Sequence, residues 1–202
     1  MGSKKHLVLA ASVLILSACG GGGGSEDSTV PTTPSTGVFV DSAVSGLHYQ
    51  TPTRSGTTNS AGEYDYLPGE VVTFSIGGIQ LGSALGGPVI SPLSLLPSAT
   101  DATHPTVTNI VRLLMSLDDD SNPSNGIAIS AATVTAATGV SVDFTVADLA
   151  ADTGMVSLLA ALPTVTLVDT ATAQTHFSTT LAAQSQWGGM SWGSGTWQAS
   201  AP

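Results

Sequence analysis

The single cysteine of this chain, Cys19, stands at the end of a short apolar run from Leu7 to Leu16. If Cys19 is modified, no thiol is left for a disulfide, so the fold must rest on its hydrophobic core alone. A helix needs about 20 apolar residues to cross a bilayer, so this run is too short to span one. The function of the run must therefore be inferred from the residues on either side of it.

The flanks of the apolar run are those of an export signal. Lys4 and Lys5 precede it, and the small residues Ser17 and Ala18 follow it. A positive start, an apolar centre and small residues before a cleavage point form the layout of a secretory signal. With Cys19 next, the segment has the form of a bacterial lipobox, in which the thiol accepts lipid. An ordinary signal peptide with a chance cysteine is the alternative.

We therefore predict a lipoprotein signal peptide over residues 1–18 and lipidation at Cys19, with acyl chains such as palmitate as the anchor. Position 20 is Gly rather than Asp. By resemblance to lipoprotein sorting in Gram-negative bacteria, this favours the outer membrane over retention at the inner one. The periplasmic and the surface-exposed face both remain open.

The charge of the exported part limits its partners. Downstream of Cys19 the chain has no lysine, and only Arg54 and Arg112 oppose all fourteen acidic residues. Such a surface repels nucleic acid and anionic lipid headgroups. We expect no nucleic-acid partner, and a glycan or an envelope or surface protein instead. The membrane is contacted through the N-terminal lipid.

Composition divides the rest of the chain into four segments. Residues 19–36 are rich in Gly, Ser and Pro and predict a disordered tether. Residues 37–100 predict a β-sandwich-like module, and residues 101–185 a helical segment with an Asp-rich loop. Residues 186–202 form a Gly/Trp tail.

The β module is predicted from short alternating segments between turn signals. Val71–Ile76 and Ile79–Gly82 flank Gly77-Gly78, which is a hairpin signal. Phe39 and Leu47 are candidate core residues in earlier strands. Short strands at regular spacing favour an antiparallel sandwich.

These residues carry a family resemblance. The segments VDSAVSGLHY and TNSAGEYDYLPGE, followed by VVTFSIGGIQLG, resemble the prealbumin-like (carboxypeptidase-regulatory-like) sandwich modules of bacterial surface proteins. The resemblance covers roughly residues 37–83. It implies a fold and a mostly non-catalytic spacer or binding role, but it names no site.

The second half has helical periodicity. Residues 107–117 place apolar side chains at i, i+3, i+4 and i+7, which predicts a helix with one buried face. Residues 142–149 and 153–162 predict one or two further helices, and residues 170–183 a last one. The whole chain is thus expected to be α+β, with an N-terminal antiparallel β-sandwich-like module followed by a small helical segment.

The loop after the first helix is the sharpest chemical feature. Asp118, Asp120 and Asn122 have the alternate spacing of calcium loops. The usual EF-hand is excluded, because Pro123 stands at the sixth position and Ile129 at the twelfth. Two interpretations remain: a looser calcium site formed by these three residues, or a solvated turn in which Asp and Asn cap backbone groups. Calcium is the only cofactor that the sequence suggests.

The sequence gives little support for catalysis. The histidines form no HExxH pair, and no phosphate-binding loop occurs. No catalytic residue is therefore predicted, and His176 is expected to be a packed helix residue. We expect a non-catalytic envelope protein with a surface binding or adhesion role. The alternative is an enzyme or enzyme accessory acting on envelope polymers.

The tail contains all three tryptophans, Trp187, Trp192 and Trp197. A spacing of five matches neither a helix nor a strand, so they do not line one simple face. Exposed tryptophan can stack on sugar rings or lie at a membrane interface. Alternatively, one or two of them close the end of the core.

Overall fold

The strands of the protein form two main sheets and one short ladder in a computed structural model that describes residues 33–187. In chain order the strands are β1 (Ser35–Phe39), β2 (Val44–Ser45), β3 (His48–Gln50), β4 (Ser55–Thr57), β5 (Glu63–Tyr66), β6 (Val71–Ile76), β7 (Ile79–Leu85), β8 (Val89–Ile90) and β9 (Ile127–Ala128). The first helix precedes β9 and the other helices follow it, so the fold is α+β.

The first sheet has three strands in the order β5-β1-β8. β1 runs antiparallel to β5, with Gly37 opposite Tyr64, and parallel to β8, with Phe39 opposite Ile90. The expectation of purely antiparallel pairing is wrong for this sheet. The chain leaves the other sheet after β7 and rejoins β1 on its far side, and this connection makes β8 parallel to β1.

The second sheet has four antiparallel strands in the order β4-β3-β6-β7. The predicted hairpin between β6 and β7 is confirmed, with Gly77 and Gly78 between Ile76 and Ile79. Gly77 has a φ of 54°, and a side chain there would contact the backbone at Val134 and Ala137. Glycine is required at this position because an added Cβ would be strained and also obstructed.

Aromatic side chains from the two sheets pack against one another. The ring of Phe39 on β1 lies 4.7 Å from that of Phe74 on β6, and Tyr64 on β5 meets Phe74 edge-on at 5.2 Å. Tyr49 on β3 completes the cluster 6.0 Å from Tyr64. Strand alternation places all four side chains on inner faces, and all are buried.

The third ladder joins the two halves of the sequence. β2 pairs in parallel with β9, with Val44 opposite Ile127. Asp118 also forms an isolated bridge with Ile129, which brings the end of the first helix to this ladder. Residues on both sides of the predicted boundary near residue 100 therefore share this ladder and one hydrophobic core.

The helices are α1 (Pro105–Ser116), α2 (Ala131–Ala136), α3 (Thr153–Ala161) and α4 (Thr170–Trp187), with a short 3₁₀ turn at Leu149–Ala151. α1, α3 and α4 match the predicted helices. α3 begins at Asp152, whose carboxylate accepts from the Met155 amide at 2.9 Å. α4 packs on α1 through its buried residues Ala173 and Phe177.

Two segments differ from the prediction. Residues 142–148 form a loop rather than a helix, because Asp143 accepts the amide of Thr145 and closes a local turn. The side-chain amide of Asn109 on α1 also holds this loop in place, because it donates to the carbonyls of Phe144 at 3.1 Å and Val146 at 3.0 Å. Helix α2 was not predicted, and it begins at Ser130, whose hydroxyl accepts from the Thr133 amide.

None of the helices in residues 33–187 is long and apolar enough to cross a membrane. The predictions for the signal peptide, for Cys19 and for most of the tether lie outside the described residues. So do those for Trp192 and Trp197, while the backbone of Trp187 ends α4.

Candidate functional site

The predicted acidic loop starts one residue after the C-cap of α1 and returns to the sheet at β9. Asp118 is buried, whereas Asp120 and Asn122 are exposed. Gly126, with a φ of 113°, makes the turn into β9. The three sequence-predicted residues therefore differ in environment, although they share one loop.

Asp118 is the buried carboxylate of this loop and is 5% exposed. Its Oδ1 accepts the backbone amide of Ala128 at 2.9 Å. Its Oδ2 is also buried and receives no hydrogen bond from the described part of the chain. Burial raises the pKa of Asp118, against the lowering effect of the Ala128 amide, and the nearby charge of Asp120 raises it further.

Asp120 is held in place by two residues of its own loop. Its Oδ2 accepts from the Asn125 side-chain amide at 2.8 Å, and its Oδ1 accepts from the Asn122 backbone amide at 2.9 Å. These hydrogen bonds, that of Asn125 first, lower the pKa of Asp120, so it is a carboxylate at neutral pH. Asn122 contributes its backbone, and Asn125 contributes its side chain.

A cleft of about 200 Å³ lies beside the loop. Asp118, Asp120 and Asn125 line it, whereas Asn122 is not among its lining residues. Ser45 of β2, both residues of β9 and Ser60 also line it. The structure thus brings together two of the three predicted side chains and adds Asn125, which the spacing of calcium loops did not single out.

Neither arginine reaches this cleft. Arg112 donates from Nε to the Val168 carbonyl at 2.8 Å and from Nη1 to Asn109 at 3.3 Å. Arg54 lies near Glu70. Within residues 33–187 no ion pair involves Asp118 or Asp120. Their negative charge is therefore not balanced by a basic side chain of the described part.

The described residues contain no group of three or more His, Cys, Asp or Glu side chains placed to hold one metal ion. The cleft offers two carboxylates and one amide instead. This is an oxygen-only set, of the kind that hard cations such as Ca²⁺ accept. It is not a set for zinc, which takes nitrogen and sulfur ligands in most sites.

A second buried carboxylate lies at the turn after β1. Asp41 is fully buried, and its Oδ1 lies 3.2 Å from Nε2 of His176 on α4. Burial raises the pKa of Asp41, and hydrogen bonding to that carboxylate raises the pKa of His176. No sequence pattern predicts this pair, because the two residues lie far apart in the chain. The one local signal in the sequence is Asp41 itself, a charged residue within the apolar segment that starts with Phe39 and Val40.

The other described histidines lie elsewhere. His48 is exposed on β3, and His104 precedes the proline that starts α1. Neither of them shares an ion pair with a carboxylate in the part of the chain that the structure describes. No histidine was predicted as catalytic, and these positions bring none of them to the cleft at Asp118.

No family model, curated protein or solved structure matches this chain.

Proposed function

We propose that this protein is a lipid-anchored, non-catalytic component of the bacterial cell envelope, whose folded domain binds a partner. The observation that carries the proposal is the position of the single cysteine, directly after Ser17-Ala18 at the end of the Leu7–Leu16 run. A thiol at that point of an export signal is the acceptor that lipoprotein processing requires. Gly20 supports sorting to the outer membrane.

The folded domain is proposed to be a prealbumin-like sandwich with helices added. Support comes from the two sheets and from the aromatic contacts between Phe39, Tyr64 and Phe74 across their inner faces. Such modules serve mostly as spacers and binding units. With two arginines against fourteen acids after Cys19, a glycan or a neutral or cationic envelope or surface protein is the partner that the charge favours.

The two buried carboxylates support binding over catalysis. Asp41 is fully enclosed and faces His176, so it cannot touch a bound substrate. One oxygen of Asp118 accepts the backbone amide of Ala128, next to the backbone bridge between Asp118 and Ile129. Both groups hold distant parts of the chain together, which is a structural task.

The alternative is an enzyme or enzyme accessory acting on envelope polymers. One observation favours it, the contact between Asp41 and His176, because a buried carboxylate that orients a histidine is a common element of hydrolytic sites. An enzyme of this kind would lose hydrolysis of isolated envelope polymer in a His176→Ala variant that remains folded.

Metabolic labelling with a palmitate analogue tests the anchor. We expect label on the full chain, none on Cys19→Ser, and unchanged label on Ser25→Ala, a control in the tether. Membrane fractionation should place the parent chain in the outer membrane and Gly20→Asp, next to the cysteine, in the inner one. Label retained by Cys19→Ser would refute the lipid anchor.

Protease treatment of intact cells, with a tag after Pro202, then identifies the face of the membrane. Digestion without lysis would favour adhesion or surface binding. Protection until lysis would favour a periplasmic role on envelope polymers or assembly.

A further inference from the structure

We propose that the cleft between the acidic loop and β2 binds one Ca²⁺ ion, with Asp118, Asp120 and Asn125 as its side-chain ligands. This metal site goes beyond the proposed binding role and does not depend on the lipid anchor. It differs from the site expected from spacing alone, because Asn125 replaces Asn122 as the amide ligand.

The first argument is the state of Asp118. This side chain is 5% exposed, lines the cleft and has a buried Oδ2 without a hydrogen-bond donor in the described part of the chain. A buried carboxylate oxygen without a partner is strongly unfavourable. A proton, a basic side chain or a metal ion must compensate it, and neither arginine lines the cleft.

The second argument is the neighbour of Asp118. Asp120 lines the same cleft and lies close enough for its charge to act on Asp118. Two carboxylates that face one space repel each other unless a proton or a metal cation lies between them. A divalent cation in the cleft removes this repulsion and supplies the partner that Oδ2 of Asp118 lacks.

The third argument is the placement of Asn125. Its Nδ2 donates to Oδ2 of Asp120 at 2.8 Å, which fixes the amide beside the carboxylate. The amide carries one further polar atom, Oδ1, and this is a good ligand for Ca²⁺. Asn122 uses its backbone amide to orient Asp120 and does not line the cleft.

The donor set favours calcium among the hard cations. Ca²⁺ takes 6–8 oxygen ligands in irregular geometry, whereas Mg²⁺ demands a near-ideal octahedron. Three side chains from one irregular loop leave the remaining positions to water and to backbone carbonyls of the lining. Few protein ligands predict weak affinity, a Kd on the order of 10⁻⁴ M, as in extracellular calcium modules.

The bound ion would link parts of the fold that are far apart in the sequence. Asp118 follows α1, Asn125 precedes β9, and Ser45 of β2 also lines the cleft. Calcium would therefore stabilise the ladder of β2 and β9 at the point where the two halves of the chain meet.

Equilibrium dialysis with radioactive calcium, on the full chain in detergent, tests the proposal directly. We expect one ion per chain for the parent protein and at least a tenfold weaker affinity for Asp120→Asn and for Asn125→Ala. Asp119→Asn is the matched control, because Asp119 is exposed, adjacent and absent from the lining. It removes the same charge and should bind like the parent.

Thermal unfolding gives a second readout that does not depend on mutant folding. The Tm of the parent chain should rise with calcium and fall back with EDTA, and magnesium at the same concentration should raise it much less. A parent chain that binds no calcium, a Tm equal in calcium and EDTA, equal effects of the two metals, or equal loss of affinity in Asp119→Asn would each overturn the proposal.

Discussion

Nε2 of His176, on the last helix, lies 3.2 Å from Oδ1 of Asp41, at the turn that follows the first strand. The carboxylate is fully buried, while the histidine side chain retains 17% exposure. This contact connects the two ends of the folded domain. It also places a titratable pair at a position where protonation affects the stability of the whole fold.

We expect the free energy of unfolding to fall as pH rises through the region where His176 titrates. The pKa of His176 is raised above its ordinary value of 6.5, mainly by hydrogen bonding to Asp41. The folded state therefore binds this proton more tightly than the unfolded chain, and the stabilisation present below pH 6.5 is lost as pH passes the raised pKa. The raised pKa of Asp41 acts in the same direction, starting above its ordinary value of 3.8.

Urea unfolding between about pH 6 and pH 9 measures this dependence, since histidine titrates in that range. His176→Asn should flatten the slope, and His48→Asn, at an exposed site on β3, should leave it unchanged. Equal slopes in the parent and in His176→Asn would show that the pair does not control the pH dependence.

Removing one partner of the Asp41–His176 pair should destabilise the fold more than removing both partners. We expect His176→Ala to lose about 3 kcal/mol at neutral pH, because Asp41 would be left buried without a partner. The double variant Asp41→Asn with His176→Ala should recover most of this loss, since the buried charge is gone. Chemical denaturation of the four proteins of this cycle gives the coupling energy, and additive losses would argue against a coupled pair.

The aromatic cluster should dominate core stability. Phe74 contacts Phe39 and Tyr64 across the two sheets, so Phe74→Ala should destabilise the fold by about 3–5 kcal/mol. Leu85→Ala, at a position that is 66% exposed, should change stability by less than about 0.5 kcal/mol. The urea concentrations at the unfolding midpoints, compared at an unchanged m-value, measure both changes. Similar losses of stability in the two variants would contradict this packing.

Gly46 should be intolerant of any side chain. It has a φ of 85°, and an added Cβ would contact the Ile129 carbonyl oxygen next to β9. Gly69 has a similar φ of 92° but open space around it, so Gly69→Ala isolates the backbone strain, about 1–2 kcal/mol. We expect Gly46→Ala to lower the Tm clearly more than Gly69→Ala does. Equal shifts would mean that the contact with Ile129 is relieved by small movements.

Local signals predicted many elements well. The Gly77-Gly78 hairpin and the helix of residues 107–117 depend on periodicity and turn chemistry, which act over a few residues. Asp143 marks the limit of this approach. Residues 142–149 have helix-compatible composition, yet Asp143 closes a turn and Asn109 captures the following carbonyls. A hydrogen-bond donor from a distant helix is invisible to a local pattern.

In the candidate site too, local sequence patterns predict part of the arrangement and distant contacts decide the rest. Asp118 and Asp120 could be selected from their spacing, but spacing also selected Asn122 rather than Asn125. The choice between the two amides depends on how the loop folds back, with Asn122 orienting Asp120 through its backbone and Asn125 lining the cleft.

The sequence by itself led to the predicted lipid anchor at Cys19, the acidic character of the chain after Cys19 and most of the strands and helices, because these follow from composition and short-range order. Tertiary structure alone decided that β2 pairs with β9, that Asp41 meets His176, and that Asp118 is buried beside Asp120. The first two of these contacts join residues that are distant in the chain, and the burial of Asp118 depends on the fold around its loop. Their energy comes from burial and from hydrogen bonds that exist only once the core has assembled.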